Sequence, residues 1–284
     1  MLDLRYHVAS LAAVFLALVV GILVGVGISG RGFVDKSERR NFENRIAALQ
    51  SRVDQLGAQK QLLTQQGAAE HTFVQETYPV LMRERLAGKR IALVVLGAAG
   101  PAVGDVRQAV DDAGGTLALY RVLKQPVPAK AVRQALHGRS GFQTMAAVGH
   151  ELAQEWVTQG VTPISDAVSP VLVEEQRGEP GRALDGVIVV GPLPTDAATA
   201  RFDVDGLLNG FAAAGIPAVA VQRTDTPPAQ VDAVGRLGSL SVVDDVDTPV
   251  GKLALALVLA GAPSGAYGTS PRAESPLPRI APAG

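Results

Sequence analysis

The chain has 284 residues, of which 47% are hydrophobic, 19% charged and only 4% aromatic, with 31 Gly, 18 Pro and no Cys. Twenty-six Lys and Arg balance 27 Asp and Glu, a net charge of -1. Near-neutrality leaves no electrostatic footprint for a nucleic acid. The lack of Cys excludes disulfides, zinc ribbons, iron-sulfur clusters and thiolate catalysis.

No charge occurs between His7 and Arg31. As a helix this stretch reaches roughly 35 Å, enough to cross a hydrocarbon core of about 30 Å. It therefore reads as an N-terminal transmembrane anchor over 1–30. A secretory signal is the competing reading, but its apolar core is shorter, about 7 to 15 residues behind a basic start. Inside the span Ala13, Ala17, Gly21, Gly25 and Ser29 recur every fourth residue. Small side chains on one face let two membrane helices approach closely, and Ala17, Gly21 and Gly25 are the centre of that stripe.

Over 31–87 the sequence turns polar and helix-favouring with a seven-residue repeat. Phe42, Leu49, Leu56 and Leu63 occupy one heptad position, and Ile46 and Val53 fall four residues after the first two. Ile or Val at a with Leu at d is the pattern of a parallel two-stranded coiled coil. Lys60 and Gly67 stand at the next two a positions and weaken the seam. The alternative is a single amphipathic helix packed on its own globular domain. The coil is preferred because the stripe is narrow and a homodimer would continue the small-residue face of the membrane helix.

From Lys89 onward, short Val, Ile and Leu runs alternate with helix-like segments and Gly or Pro punctuation, the mark of an α/β domain over 88–262. Strands are expected at Ile91 to Leu96, Thr116 to Leu123, Val187 to Val190, Ala218 to Val221 and Leu240 to Val243. Helices are expected between Gly104 and Gly114, at Ala129 to Leu136, near Glu151 to Thr158, through Phe202 to Ala214, and at Val250 to Ala260. The predicted architecture is Rossmann-like, a mostly parallel sheet. The Pro, Ala and Gly-rich segment 263–284 reads as a disordered tail.

Open parallel sheets bind ligands beyond the carboxyl ends of their strands. Three loops there form a possible crevice: Gly97, Gly100 and Gly104 after the first strand, Gly191 after a middle one, and Asp244, Asp245 and Asp247 after the last. The first loop lacks the Gly-x-Gly-x-x-Gly spacing that brings amides onto a pyrophosphate, and Pro101 removes a donor. Turn formation and capping account for the aspartates more simply than Mg²⁺ does. No P-loop and no Gly-x-Ser-x-Gly elbow occurs. His71, His137 and His150 are widely separated and read as surface or capping residues. Asp203 and Asp205 read as helix-start caps, and Trp156 as a residue packing a helix on the sheet. No catalytic, cofactor or metal residue is assigned, and the chain reads as a non-enzyme.

Leu4-Arg5 followed by Ser10 to Gly25, with the order anchor, coil, α/β domain and Pro/Ala-rich end, resembles the actinobacterial family named for mycobacterial copper transport protein B. That family also includes the cell-separation protein SteB. The resemblance implies either copper efflux or homeostasis across the envelope, or a scaffold that meets a SteA-like membrane partner and activates a peptidoglycan hydrolase during cell separation. Copper(I) prefers Cys and Met ligands, whereas the methionines here are Met1, Met82 and Met145 alone. The expected function is therefore a non-catalytic, dimeric envelope scaffold, with copper homeostasis as the alternative, copper being bound only in that case. Arg31, Lys36, Arg39, Arg40 and Arg45 after the span would by themselves retain the following part in the cytoplasm. The resemblance implies the opposite, a single-pass protein with an extracytoplasmic body, and the intervening Asp35, Glu38 and Glu43 read as coil-surface charges.

Overall fold

The computed structural model describes residues 4–29, 36–98, 100–139, 141–192, 194, 196–227 and 240–279. Arg31, Asp35, Leu193 and Pro282 lie outside the described residues. By contacts the chain divides into two units, Met1–Ala69 and Glu70–Gly284.

The first unit is helical. Helix α1 (Leu4–Ser29) contains the apolar stretch Tyr6–Gly27, 22 residues with a mean hydropathy of 2.7, none of it buried against protein. A helix of this length and composition fits a membrane span. Helix α2 (Lys36–Met82) is a single run of 47 residues. Its heptad side chains Phe42, Ile46, Leu49, Val53, Leu56 and Leu63 are all exposed, between 54% and 66%. The stripe exists as read from the sequence and is exposed along its length.

The second unit begins at Glu70, inside the segment read as coil, because the end of α2 is built into the α/β core. Met82 and Leu86 are fully buried, and Tyr78 and Leu81 pack against the same cluster. The Tyr78 hydroxyl also donates to Asp112 Oδ2 at 2.7 Å.

Among the described residues seven strands follow: β1 (Arg90–Leu96), β2 (Thr116–Leu123), β3 (Val173–Arg177), β4 (Gly186–Val190), β5 (Ala218–Val221), β6 (Ser241–Val243) and β7 (Ala266–Tyr267). Their spatial order is β3-β2-β1-β4-β5-β6-β7, with every neighbouring pair parallel except β2 and β3. The α/β, mostly parallel expectation is met. In β1 every residue from Ile91 is buried, as expected for a parallel strand covered on both faces. Alternation distributes them: Ile91, Leu93 and Val95 enter one core, and Ala92, Val94 and Leu96 the other.

The first core is closed by the end of α2, by α3 (Pro101–Asp112) and by a late helix, Pro249–Leu259. The second is closed by α4 (Ala129–Ala135), α5 (Met145–Val157), α6 (Pro163–Leu172), a π-helical turn at Arg201–Leu208, into which the short α7 (Ala197–Ala200) leads, and α8 (Asn209–Ala213). The late helix is numbered α9. Trp156 is fully buried in this second core, as expected, and its indole N–H donates to Ser165 Oγ at 2.9 Å.

Three expectations need correction. Helix α6 and strand β3 have no counterpart in the sequence reading, since Val173-Glu-Glu-Gln-Arg177 shows no apolar alternation and is an exposed edge. Edge strands tolerate, and favour, such charge. The segment read as a disordered tail is ordered through residue 279: β7 pairs with β6, and Leu277 packs on the first core. Asp203 and Asp205 do not cap a helix. That role belongs to Asp196, whose Oδ1 accepts from Ala198 N at 3.1 Å and Thr199 N at 2.9 Å.

Candidate functional site

Strand order reverses between β1 and β4, because the chain leaves β1 for β2 and β3 on one side and returns to β4 on the other. The loops after β1 and β4 therefore adjoin at the carboxyl edge, the usual ligand position of such sheets. Gly97 (φ +82) and Gly191 (φ +139) both adopt backbone conformations that side chains rarely take. A side chain on Gly191 would meet the Leu96 carbonyl and lie 2.9 Å from Leu96 Cβ. One on Gly97 would lie 3.3 Å from Gln125 Cγ. These glycines serve close packing of loop on loop. Gly100, which precedes α3 as its N-cap without a side-chain bond, and Gly104 in the first turn have open space instead.

The loop after β2 lies against Gly97 through Gln125. Gln125 Nε2 donates to Asp203 Oδ2 at 2.7 Å, and Val127 N donates to Thr199 Oγ1 at 2.9 Å. Asp203, in the π-helical turn, is fully buried, and among the described residues its Oδ1 has no partner. Burial pushes its carboxyl up to about 7, against the pull of the Gln125 amide and with a smaller push from Asp196. A buried acid at the reversal point was invisible in the sequence, where Asp203 looked like any helix-start aspartate. A π-helical turn is the one local signal that marks it.

The structure splits the third expected loop. Asp247 faces the β1 side: Arg223, from the loop after β5, lies between Asp105 of α3 and Asp247, 3.8 Å from the latter. Thr224 adds bonds to both Asp247 oxygens, 2.9 Å from its amide and 2.7 Å from its hydroxyl. Burial would raise the Asp247 carboxyl, but these bonds and Arg223 hold it below the ordinary range. Asp244 and Asp245 instead face the C-terminal segment. Asp244 Oδ1 accepts from Thr269 N at 2.9 Å and Ser270 N at 3.3 Å. Asp245 is fully buried, and burial followed by the charge of Asp244 pushes it up to about 6, against the Thr248 hydroxyl. These aspartates hold turns and the C-terminal segment in place. Among the described residues no group of three or more His, Asp or Glu is arranged to hold a metal ion.

Against known proteins, residues 1–278 match the family described as the copper transport outer membrane protein MctB. The chain belongs to this family. It is also 26% identical to the copper transporters MctB of Mycobacterium bovis and Mycobacterium tuberculosis, over 97% of this chain and 98% of each relative. Membership, together with one apolar helix near the N-terminus, fits a membrane-anchored envelope protein. The soft-ligand inventory stays small on the folded chain, since Met82 and Met145 are both buried and sit in different cores.

Proposed function

We propose that this MctB-family chain serves copper homeostasis of the envelope as a non-catalytic, membrane-anchored assembly protein, with α2 pairing two copies in parallel. The observation that carries the reading is the exposed heptad stripe from Phe42 to Leu63. Six large apolar side chains at 3.5-residue spacing on one helix are a seam for a second helix. A shared bilayer orientation of α1 favours a parallel partner of the same kind, and Ala17, Gly21 and Gly25 continue the contact in lipid. In this reading the α/β unit contributes recognition, with its body outside the cytoplasm. Activation of a peptidoglycan hydrolase, implied by the resemblance to SteB, would draw on the same stripe through helix exchange with a partner.

The test is a copper-challenged deletion strain complemented with wild type or with Leu49→Asp/Leu56→Asp. The double variant is expected to be monomeric by in-cell crosslinking and to leave the strain copper-sensitive, while neither purified protein retains copper. A monomeric variant that restores full resistance would overturn the assembly role. Stoichiometric copper in the wild type would replace it with direct transport.

A further inference from the structure

On the edge of the sheet remote from the C-terminal segment, α6, β3 and the turn after β3 enclose an open groove of about 930 Å³. Arg121 of β2 forms part of its wall and is only 2% exposed. A buried arginine ordinarily meets a carboxylate or phosphate, because desolvating an unpaired charge is costly. Here Nη1 donates to the carbonyls of Tyr120 and Arg177, both at 2.8 Å, and Nη2 to that of Gly178 at 3.0 Å. Three of the five guanidinium N–H donors are thereby engaged by neutral backbone. Among the described residues Nε, buried, has no partner, and Nη2 carries one N–H beyond the one given to Gly178. Among the described residues no carboxylate bonds to this side chain, and burial alone pulls its pKa down to about 10.

The remaining donors, Nε–H and the second N–H of Nη2, belong to adjoining nitrogens, which is the arrangement a two-oxygen anion takes on an arginine. The hydroxyls of Ser165 and Ser169 line the same groove, 3.4 Å apart. The wall is held from behind: buried Glu155 accepts from Ile164 N and Ser165 N at the start of α6, the nearest at 2.7 Å. Asp166, Glu174 and Glu179 also line the groove, outnumbering the other cation there, Arg177, which pairs with Glu175 at 2.9 Å. They disfavour a polyanion and favour a ligand whose single anionic end is followed by positive charge or hydrogen-bond donors. A groove in the upper part of the roughly 300–1,000 Å³ range of small-ligand sites accepts more than a lone ion.

We infer that this groove binds the carboxylate terminus of a short basic peptide, with Arg121 taking the carboxylate and the acidic rim taking the cationic remainder. None of the expected site residues lies here, and the inference is independent of α2 pairing.

Titration calorimetry of the full chain in a nonionic detergent tests it, with the tripeptide Ala-Ala-Lys, its C-terminal amide and inorganic phosphate as probes. The free acid is expected to bind saturably, and the amide roughly tenfold more weakly or worse, the loss of one charge-assisted pair. Ser169→Glu, which leaves every Arg121 bond intact, is expected to abolish binding while circular dichroism and Tm stay as in wild type. Arg121→Met is expected to do the same where it folds. Equal binding of acid and amide, phosphate binding tighter than the peptide, unchanged binding by Ser169→Glu, or no binding of the acid each overturns the inference.

Discussion

At neutral pH Asp203 is divided between its charged and neutral forms, because burial moves it from the ordinary 3.8 to about 7. The unfolded chain ionises near 4, so the acid favours the fold most at low pH and that contribution is lost as pH rises through about 7. Three units correspond to at most about 4 kcal/mol, with residual solvent access reducing it. Wild type is therefore expected to melt at higher temperature near pH 5.5 than near pH 8, and Asp203→Asn to lose most of that difference in a pH series of thermal melts. Asp245, raised to about 6 for a similar reason, leaves a smaller slope of the same sign in the variant. Gly191→Ala probes the reversal point differently. It places a methyl against the Leu96 carbonyl at a φ of +139, so a destabilisation of about 2 kcal/mol or more is expected in denaturant unfolding.

Elements differ in how visibly they announce themselves. Helix α9 is legible because a cap, a proline and an apolar run coincide: Thr248 Oγ1 accepts from Gly251 N at 3.0 Å, Pro249 opens the helix, and Gly251 to Leu259 are all buried. Thr248→Ala is expected to cost about 1 kcal/mol by the same unfolding measurement. The heptads of α2 are legible for an equally local reason, that one face repeats every seven residues. Strand β3 is not, since its residues are strand-like only because β2 lies beside them, Arg121 opposite Gln176 and Tyr120 opposite Arg177. The π-helical turn at Arg201–Leu208 likewise follows from packing against α5, where Gly206 and Gly149 allow backbones to touch.

For the molecule as a whole, the C-terminal segment is structural. Tyr267 and Leu277 join the first core, the Tyr267 hydroxyl donates to the Pro263 carbonyl at 2.7 Å, and Asp244 holds the following turn. Truncation after Ala262 is expected to destabilise the α/β unit by on the order of 3 kcal/mol, the burial of two large side chains, and to expose β6 as an edge. Retention of wild-type Tm by the truncated chain would contradict this.

The sequence by itself determined the apolar anchor segment, the heptad stripe, the five central strands and the α/β class, because each is written in the spacing of neighbouring residues. Tertiary structure alone decided the strand order that sets Gly97 beside Gly191 and sends Asp244 and Asp245 to the C-terminal segment. It also decided the burial of Asp203 and Arg121, two polar residues whose sequence neighbourhoods carry no mark of it. Burial and unmet hydrogen bonds depend on residues tens of positions away, such as Gln125 for Asp203 and Gly178 for Arg121, and no local periodicity records those distances.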